Sequence, residues 1–215
     1  MYHWIEDKEF LGKMRRECSD LVNRLVNLIN KEGKMLVGMQ MVGSGARNLE
    51  TQNNGFPIDL DYNLNIKRYD ELFFKDGKKL KEYVRAKFNK VLSSKKLPDC
   101  DDSTSALTTK KMKLPYGNNT EFSIDLTITK EISGRWNKLI HVKIEKEKWE
   151  WNPIKDSTKI DGKAKYIKSK GKWGELRECY LKKKNLYLTI NDNNHPSYIC
   201  YIEAINEIYS NLSKR

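Results

Sequence analysis

The chain is short of the residues from which most thiol and soft-metal sites are made. Its 215 residues include only three histidines and four cysteines. Cys18, Cys100, Cys179 and Cys200 stand far apart, with no Cys-x-x-Cys pair. Zinc-ligand spacing is therefore absent, and the cysteines read as reduced structural thiols. Long apolar runs are missing as well: none approaches the roughly 18 residues a membrane-spanning helix needs. The opening Met1-Tyr2-His3-Trp4-Ile5-Glu6-Asp7 has no basic stretch followed by an apolar one, so the expectation is a cytoplasmic protein with no membrane partner. Internal repeats and low-complexity linkers are also lacking. Two phosphate-binding fingerprints fail: Asn48 stands where a dinucleotide motif needs its third glycine, and no Gly-Lys-Ser/Thr follows the Gly43 turn.

Acidic residues are outnumbered. Forty-one Lys and Arg face twenty-nine Asp and Glu, for a net charge of +12. The excess is concentrated: residues 155–184 hold eleven basic and four acidic side chains, 11 − 4 = +7. Such a segment attracts polyanions, including RNA and triphosphates, and a lysine-rich solvated face is the alternative. The apolar share of 38% suffices for one sizeable core, or for a compact domain with a smaller appendage.

Periodicity supplies the elements. Leu11, Met14, Cys18, Leu21, Val22, Leu25 and Ile29 recur at three- and four-residue spacing, predicting a helix over about 7–31 that Gly33 ends. Residues 35–42 read as a buried strand, and 46–50 as the start of a short helix. Residues 51–55 read as a polar loop. A helix is expected over 77–93 and strands over 104–114, 121–129 and 141–145. The 149–153 segment reads as a loop, 174–184 as helix, and the last helix begins near Pro196. The resulting organisation is an α/β (α+β) core of mixed β-sheet with flanking helices over residues 1–130, followed by a basic, mostly helical extension over 131–215 packed on it.

The chemistry centres on two short runs and a third that repeats their design. Ile58-Asp59-Leu60-Asp61-Tyr62 alternates apolar and acidic residues, so Asp59 and Asp61 share one strand face. Phe122-Ser123-Ile124-Asp125-Leu126 places Asp125 opposite its apolar partners in the same way. Gly43-Ser44-Gly45-Ala46-Arg47 precedes them as a turn whose glycines let backbone approach a phosphate. Arg47 would neutralise a phosphate from that turn, or serve as an ordinary surface arginine. Three carboxylates on one face repel unless hard cations lie between them, and Mg²⁺ is the expected ion, with Mn²⁺ as an alternative. A solvated sheet face is the competing reading of the aspartates.

Strand, Gly-Ser, helix, Asp-x-Asp on a strand and a single Asp on a later strand together resemble the DNA polymerase β-like nucleotidyltransferase superfamily. The matching residues are Gly43, Ser44, Asp59, Asp61 and Asp125, within residues 35–130. Fourteen residues separate Ser44 from Asp59, the long end of the family pattern, which implies a longer loop around Asn53, Asn54 and Gly55. The resemblance implies two Mg²⁺ ions, Asp59 and Asp61 bridging both and Asp125 completing the one that activates the acceptor. It implies a metal-dependent enzyme moving an NMP group from an NTP to a hydroxyl acceptor with release of pyrophosphate, with Gly43, Ser44, Gly45 and Arg47 around the nucleotide. An RNA end or another nucleotide is the favoured acceptor. The alternative is a catalytically silent nucleic-acid-binding module on the same scaffold.

Other residues are read as structural: Asp99, Asp101 and Asp102 as a solvated loop, and His141 and His195 as surface or packing groups. Trp136, Trp149, Trp151 and Trp173 read as packing residues, with base stacking as the alternative. Tyr180, Tyr198 and Tyr201 are candidates to border a base pocket.

Overall fold

Asp7 starts the first long helix by accepting the Phe10 amide at 2.8 Å, which satisfies a donor that has no partner inside the helix. The computed structural model describes residues 1–74, 76–143, 147–192 and 194–213. In order, its elements are β1 (Tyr2–Trp4), α1 (Lys8–Lys31), β2 (Met35–Met41), α2 (Gly43–Arg47), β3 (Thr51–Asn53), β4 (Ile58–Tyr69), α3 (Gly77–Ser94), β5 (Asp101–Asp102) and β6 (Leu107–Thr108). There follow β7 (Phe122–Ile132), β8 (Arg135–Val142), β9 (Lys148–Pro153), α4 (Thr158–Ser169), α5 (Trp173–Thr189) and α6 (Ser197–Ser213). Two compact units emerge. The larger comprises Glu6–Asn48 and Phe56–Ile154; the smaller comprises Met1–Ile5, Leu49–Gly55 and Lys155–Arg215.

The larger unit is built on a mixed sheet of order β2-β4-β7-β6-β5, with β8 paired to the far end of β7 and β9 to β8. Among the described residues only β4 and β7 run parallel, joined by a crossover that carries α3. Alternation dictates the faces. Ile58, Leu60, Tyr62, Leu64 and Ile66 of β4 are buried, as are Phe122, Ile124, Leu126 and Ile128 of β7. Their cover includes α1, whose Phe10, Met14, Cys18, Leu21, Val22, Leu25 and Ile29 are all buried. Phe10 meets Phe122 edge-on at 6.3 Å, and the Tyr62 hydroxyl lies 2.9 Å from Ser19 Oγ. Each such buried side chain stabilises by about 1.5–3 kcal/mol. A one-residue slip of β4 would turn this set outward, so the hydrophobic face also fixes the register of the opposite face.

The segment 101–102 is not the solvated loop expected of it. Asp102 pairs with the buried Lys81 at 2.5 Å and with His141 Nδ1 at 2.8 Å, and His141 Nε2 lies 2.7 Å from Glu147. The His141 ring stacks on Trp149 at 4.2 Å. A buried ammonium needs a counter-charge, and Asp102 supplies it.

The smaller unit packs α4, α5 and α6 around Ala164, Ile167, Leu176, Tyr180, Cys200, Tyr201, Ala204, Ile205 and Ile208. The two-stranded ribbon β1-β3 belongs with it. Asn185 of α5 accepts the Tyr2 amide at 2.6 Å and donates to the Tyr2 carbonyl at 2.9 Å. Tyr180 and Tyr201 are therefore core residues of this unit rather than pocket walls, with Trp4 against Tyr180 at 6.2 Å.

Several expected boundaries move. Residues 51–53 form a strand because β1 offers a partner, and 148–153 form a strand because β8 does. The strand expected over 104–114 shrinks to Leu107–Thr108 plus an isolated bridge from Met112 to Phe122. The strand expected at 141–145 begins earlier, at Arg135, and residues 144–145 lie outside the described residues. Residues 131–154 thus complete the sheet, while the helices beyond belong to the smaller unit. Among the described residues no helix is long and apolar enough to cross a membrane.

Candidate active site

The end of β2 delivers the Gly-Ser turn to β4. Met41 is opposite Tyr62, and the Val42 amide donates to the Asp61 carbonyl at 2.9 Å. The short helix α2 begins at Gly43 itself rather than at Ala46. It ends at Asn48, whose φ of +56° breaks the helix before residues 49 and 50 can join it. Gly43 has φ +64°, and a Cβ there would stand 2.1 Å from Asp61 Oδ2. Both the backbone conformation and the carboxylate beneath it require glycine. Gly45 is buried for a different reason: a Cβ would press on Leu60 at 3.0 Å and Met41 at 3.1 Å. Arg47 folds back to donate to the Gly43 carbonyl at 2.8 Å.

Strand register brings the three aspartates to one face. Asp61 is directly opposite Asp125, and Asp59 is directly opposite Ser123. Neighbouring strands lie about 4.8 Å apart, so the pair Asp61–Asp125 and Asp59, two residues along on the same face, form one acidic patch beside Gly43. Each carboxylate has its own neighbour. Ser123 Oγ donates to Asp59 in a short hydrogen bond. Thr108 Oγ donates to Asp125 at 2.5 Å, across the β6–β7 pairing that sets Thr108 against Asp125.

Electrostatics report the crowding. Burial, then the charges of Asp125 and Asp59, push the Asp61 carboxyl up to about 6, against a smaller opposing effect of the Arg47 guanidinium. Burial also raises Asp125, Asp59 adds to the rise, and the Thr108 hydroxyl holds it back. Among the described residues, no three acidic, histidine or cysteine side chains are already gathered as they would be around a metal ion. The donor chemistry nonetheless suits a hard divalent cation: three carboxylates on neighbouring positions of one sheet face, two of them, Asp61 and Asp125, raised above their ordinary range by burial and by the neighbouring carboxylates.

No family model and no curated protein matches the sequence. Solved structures do. CdnC of E. coli MS115-1 with ATP matches 96% of this chain at a TM-score of 0.62 and 13% identity. CdnC in a complex with HORMA-deltaN matches 93% at 0.57, again with 13% identity. The chain has a nucleotidyltransferase fold. It spans 62% and 60% of the length of those two structures. The mixed α+β fold expected from the sequence is thus the one found.

Two groups escaped the sequence reading. Ser123 stood two positions before Asp125 on the same strand face, which was signal enough to place it beside the acids. Thr108 carried no such signal, because its pairing with Asp125 depends on a two-residue strand. The tryptophans divide by location: Trp149 stacks on His141, Lys130 sits over Trp151 at 4.5 Å, Lys168 sits over Trp173 at 4.2 Å, and Trp136 is exposed. His195 stacks on Tyr187 and pairs with Asp192, a packing role.

Proposed function

We propose that the chain is a nucleotidyltransferase that moves an NMP group from an NTP to a hydroxyl acceptor, releasing pyrophosphate. The observation that carries this reading is the register: Asp61 against Asp125, with Asp59 one step along the same face, beside a turn whose Gly43 leaves no room for a side chain. The likeness to CdnC, solved with ATP, supports it at the level of the fold.

In this reading Asp59, Asp61 and Asp125 hold two Mg²⁺ ions, with Mn²⁺ able to substitute. The ions, when bound, neutralise the triphosphate and lower the pKa of the acceptor hydroxyl. The chain's own residues do the positioning. Gly43 and Ser44 present backbone and hydroxyl to the phosphates, Gly45 keeps the turn seated on β4, and Arg47 offsets negative charge at the leaving end. Ser123 and Thr108 orient two of the carboxylates, so that their rotation toward a cation starts from fixed positions. The basic segment 155–184 favours an acceptor that is itself an anion, an RNA end or a nucleotide.

The test is pyrophosphate release from mixed NTPs with Mg²⁺, using the wild type beside Asp59→Ala and Asp61→Ala variants of verified fold. Loss of release in both supports the reading. Release that continues in both removes it.

A further inference from the structure

The charge of the smaller unit is not spread evenly over its helices. Residues 155–172 contain seven lysines and two aspartates, 7 − 2 = +5. Both aspartates face the start of α4. Asp156 accepts the Thr158 amide at 2.9 Å and its hydroxyl, and Asp161 accepts Ser157 Oγ at 2.6 Å. Among the described residues, Lys165, Lys168 and Lys170 enter no ion pair, and all three are exposed. The contrast with α5 is direct, since Lys172 pairs with Glu175 at 2.5 Å and Lys183 with Glu207 at 2.9 Å.

Aromatic rings lie among these lysines. Tyr166 projects outward at 37% exposure and meets Tyr209 edge-on at 5.3 Å. Lys170 lies 5.4 Å from the centre of the Tyr166 ring, Lys168 lies 4.2 Å from that of Trp173, and Lys163 lies 5.2 Å from that of Tyr209. Buried Ala164 and Ile167 seat the helix, which is about 18 Å long; Lys165 and Tyr166 lie on its solvent side, with Lys170 beside Tyr166 and Lys168 around the other flank. Lysines that are merely solvated have no need of an exposed ring beside them. Single-stranded nucleic acid needs both: cations for the backbone and a flat apolar face for an unpaired base.

We propose that the solvent-exposed surface of α4 binds single-stranded RNA that passes around the helix, with Lys165, Lys168 and Lys170 contacting phosphates and Tyr166 stacking a base. The surface lies wholly in the smaller unit and does not depend on the aspartate site or on turnover.

The experiment is fluorescence anisotropy of the full chain with a short unstructured RNA, without NTP or divalent cation. Three phosphate contacts give a slope of about −2 in the logarithm of affinity against that of salt, a roughly 20-fold loss between about 50 and 200 mM. Tyr166→Ala weakens RNA binding roughly fivefold or more, while leaving inorganic polyphosphate, which has no bases, unchanged. The triple variant Lys165→Glu, Lys168→Glu, Lys170→Glu, checked for fold by circular dichroism, loses both ligands. The proposal is overturned if Tyr166→Ala binds RNA as the wild type does, if duplex RNA binds as tightly as the single strand, if only anionic vesicles are bound, or if the triple variant keeps its affinity. Failure of nucleotidyl transfer leaves these readouts unaffected.

Discussion

Replacing Asp61 with asparagine removes one charge from a crowded face while keeping the shape of the side chain. In the folded protein the Asp61 carboxyl titrates at about 6, against an ordinary 3.8. At 1.36 kcal/mol per pKa unit, keeping it ionised costs about 3 kcal/mol of folding stability. Residual solvent contact and side-chain relaxation reduce this, so about 1.5–3 kcal/mol is the working range. The sign follows from proton counts. Below pH 3.8 both folded and unfolded states carry the proton, and the charge has no effect. Between 3.8 and 6 the folded state holds more protons than the unfolded one, so stability falls as pH rises. Above 6 the whole penalty is present. Asp61→Asn is therefore more stable than the wild type near pH 7.5, by about 3–12 °C in Tm for a chain of this size, and nearly equal to it near pH 4. Urea or thermal unfolding followed by circular dichroism, in chelator, measures the gap at each pH. A variant no more stable at pH 7.5, or a gap that does not close in acid, refutes the reasoning. Adding Mg²⁺ raises the wild type's Tm and leaves the variant's closer to its starting value.

Three further outcomes follow from the same structure. Gly43→Ala places a methyl group against Asp61 and forces a left-handed residue, so nucleotidyl transfer falls to background and stability drops by about 1–3 kcal/mol, read by pyrophosphate release and denaturant titration. Ser123→Ala and Thr108→Val each free a carboxylate to rotate; activity falls about 10–100-fold and recovers partly at higher Mg²⁺, with the larger loss in the divalent-cation affinity. Lys184 is buried over the Tyr2 ring at 3.8 Å, and burial lowers its pKa to about 8. The unfolded state holds more protons than the folded one between pH 8 and 10.5, so wild-type stability rises across that window relative to Lys184→Met, whose advantage is largest below pH 8. Tm values of the two proteins at neutral and alkaline pH test this.

The acidic face was readable because it rests on period-two alternation. Ile58 to Tyr62 and Phe122 to Leu126 each separate acid from core within five residues, and no distant partner is needed to see it. What required coordinates was pairing between segments remote in sequence. Thr51 to Asn53 is polar and short, and becomes a strand only because Tyr2 to Trp4 lies beside it. The same ribbon accounts for the long interval between Ser44 and Asp59, since the chain leaves the larger unit at Leu49 and returns at Phe56. Helix α4 was invisible to periodicity because Gly162 interrupts it and only Ile160, Ala164 and Ile167 face inward from a run dominated by lysine. Asp102 looked solvated because its partners, Lys81 and His141, are about twenty and forty residues away.

The ribbon made by Tyr2–Trp4 and Thr51–Asn53 gives the smaller unit an unusual birth order. Its first strand precedes the sheet domain in the chain, yet the Asn185 side chain that clasps Tyr2 on both sides is made only after the whole sheet domain has been translated. Until then the leading strand has no helix to rest on, and Trp4 has no Tyr180 beneath it. Closing the ribbon onto α5 therefore joins residues some 180 positions apart, the kind of long-range pairing whose loop-closure cost slows folding.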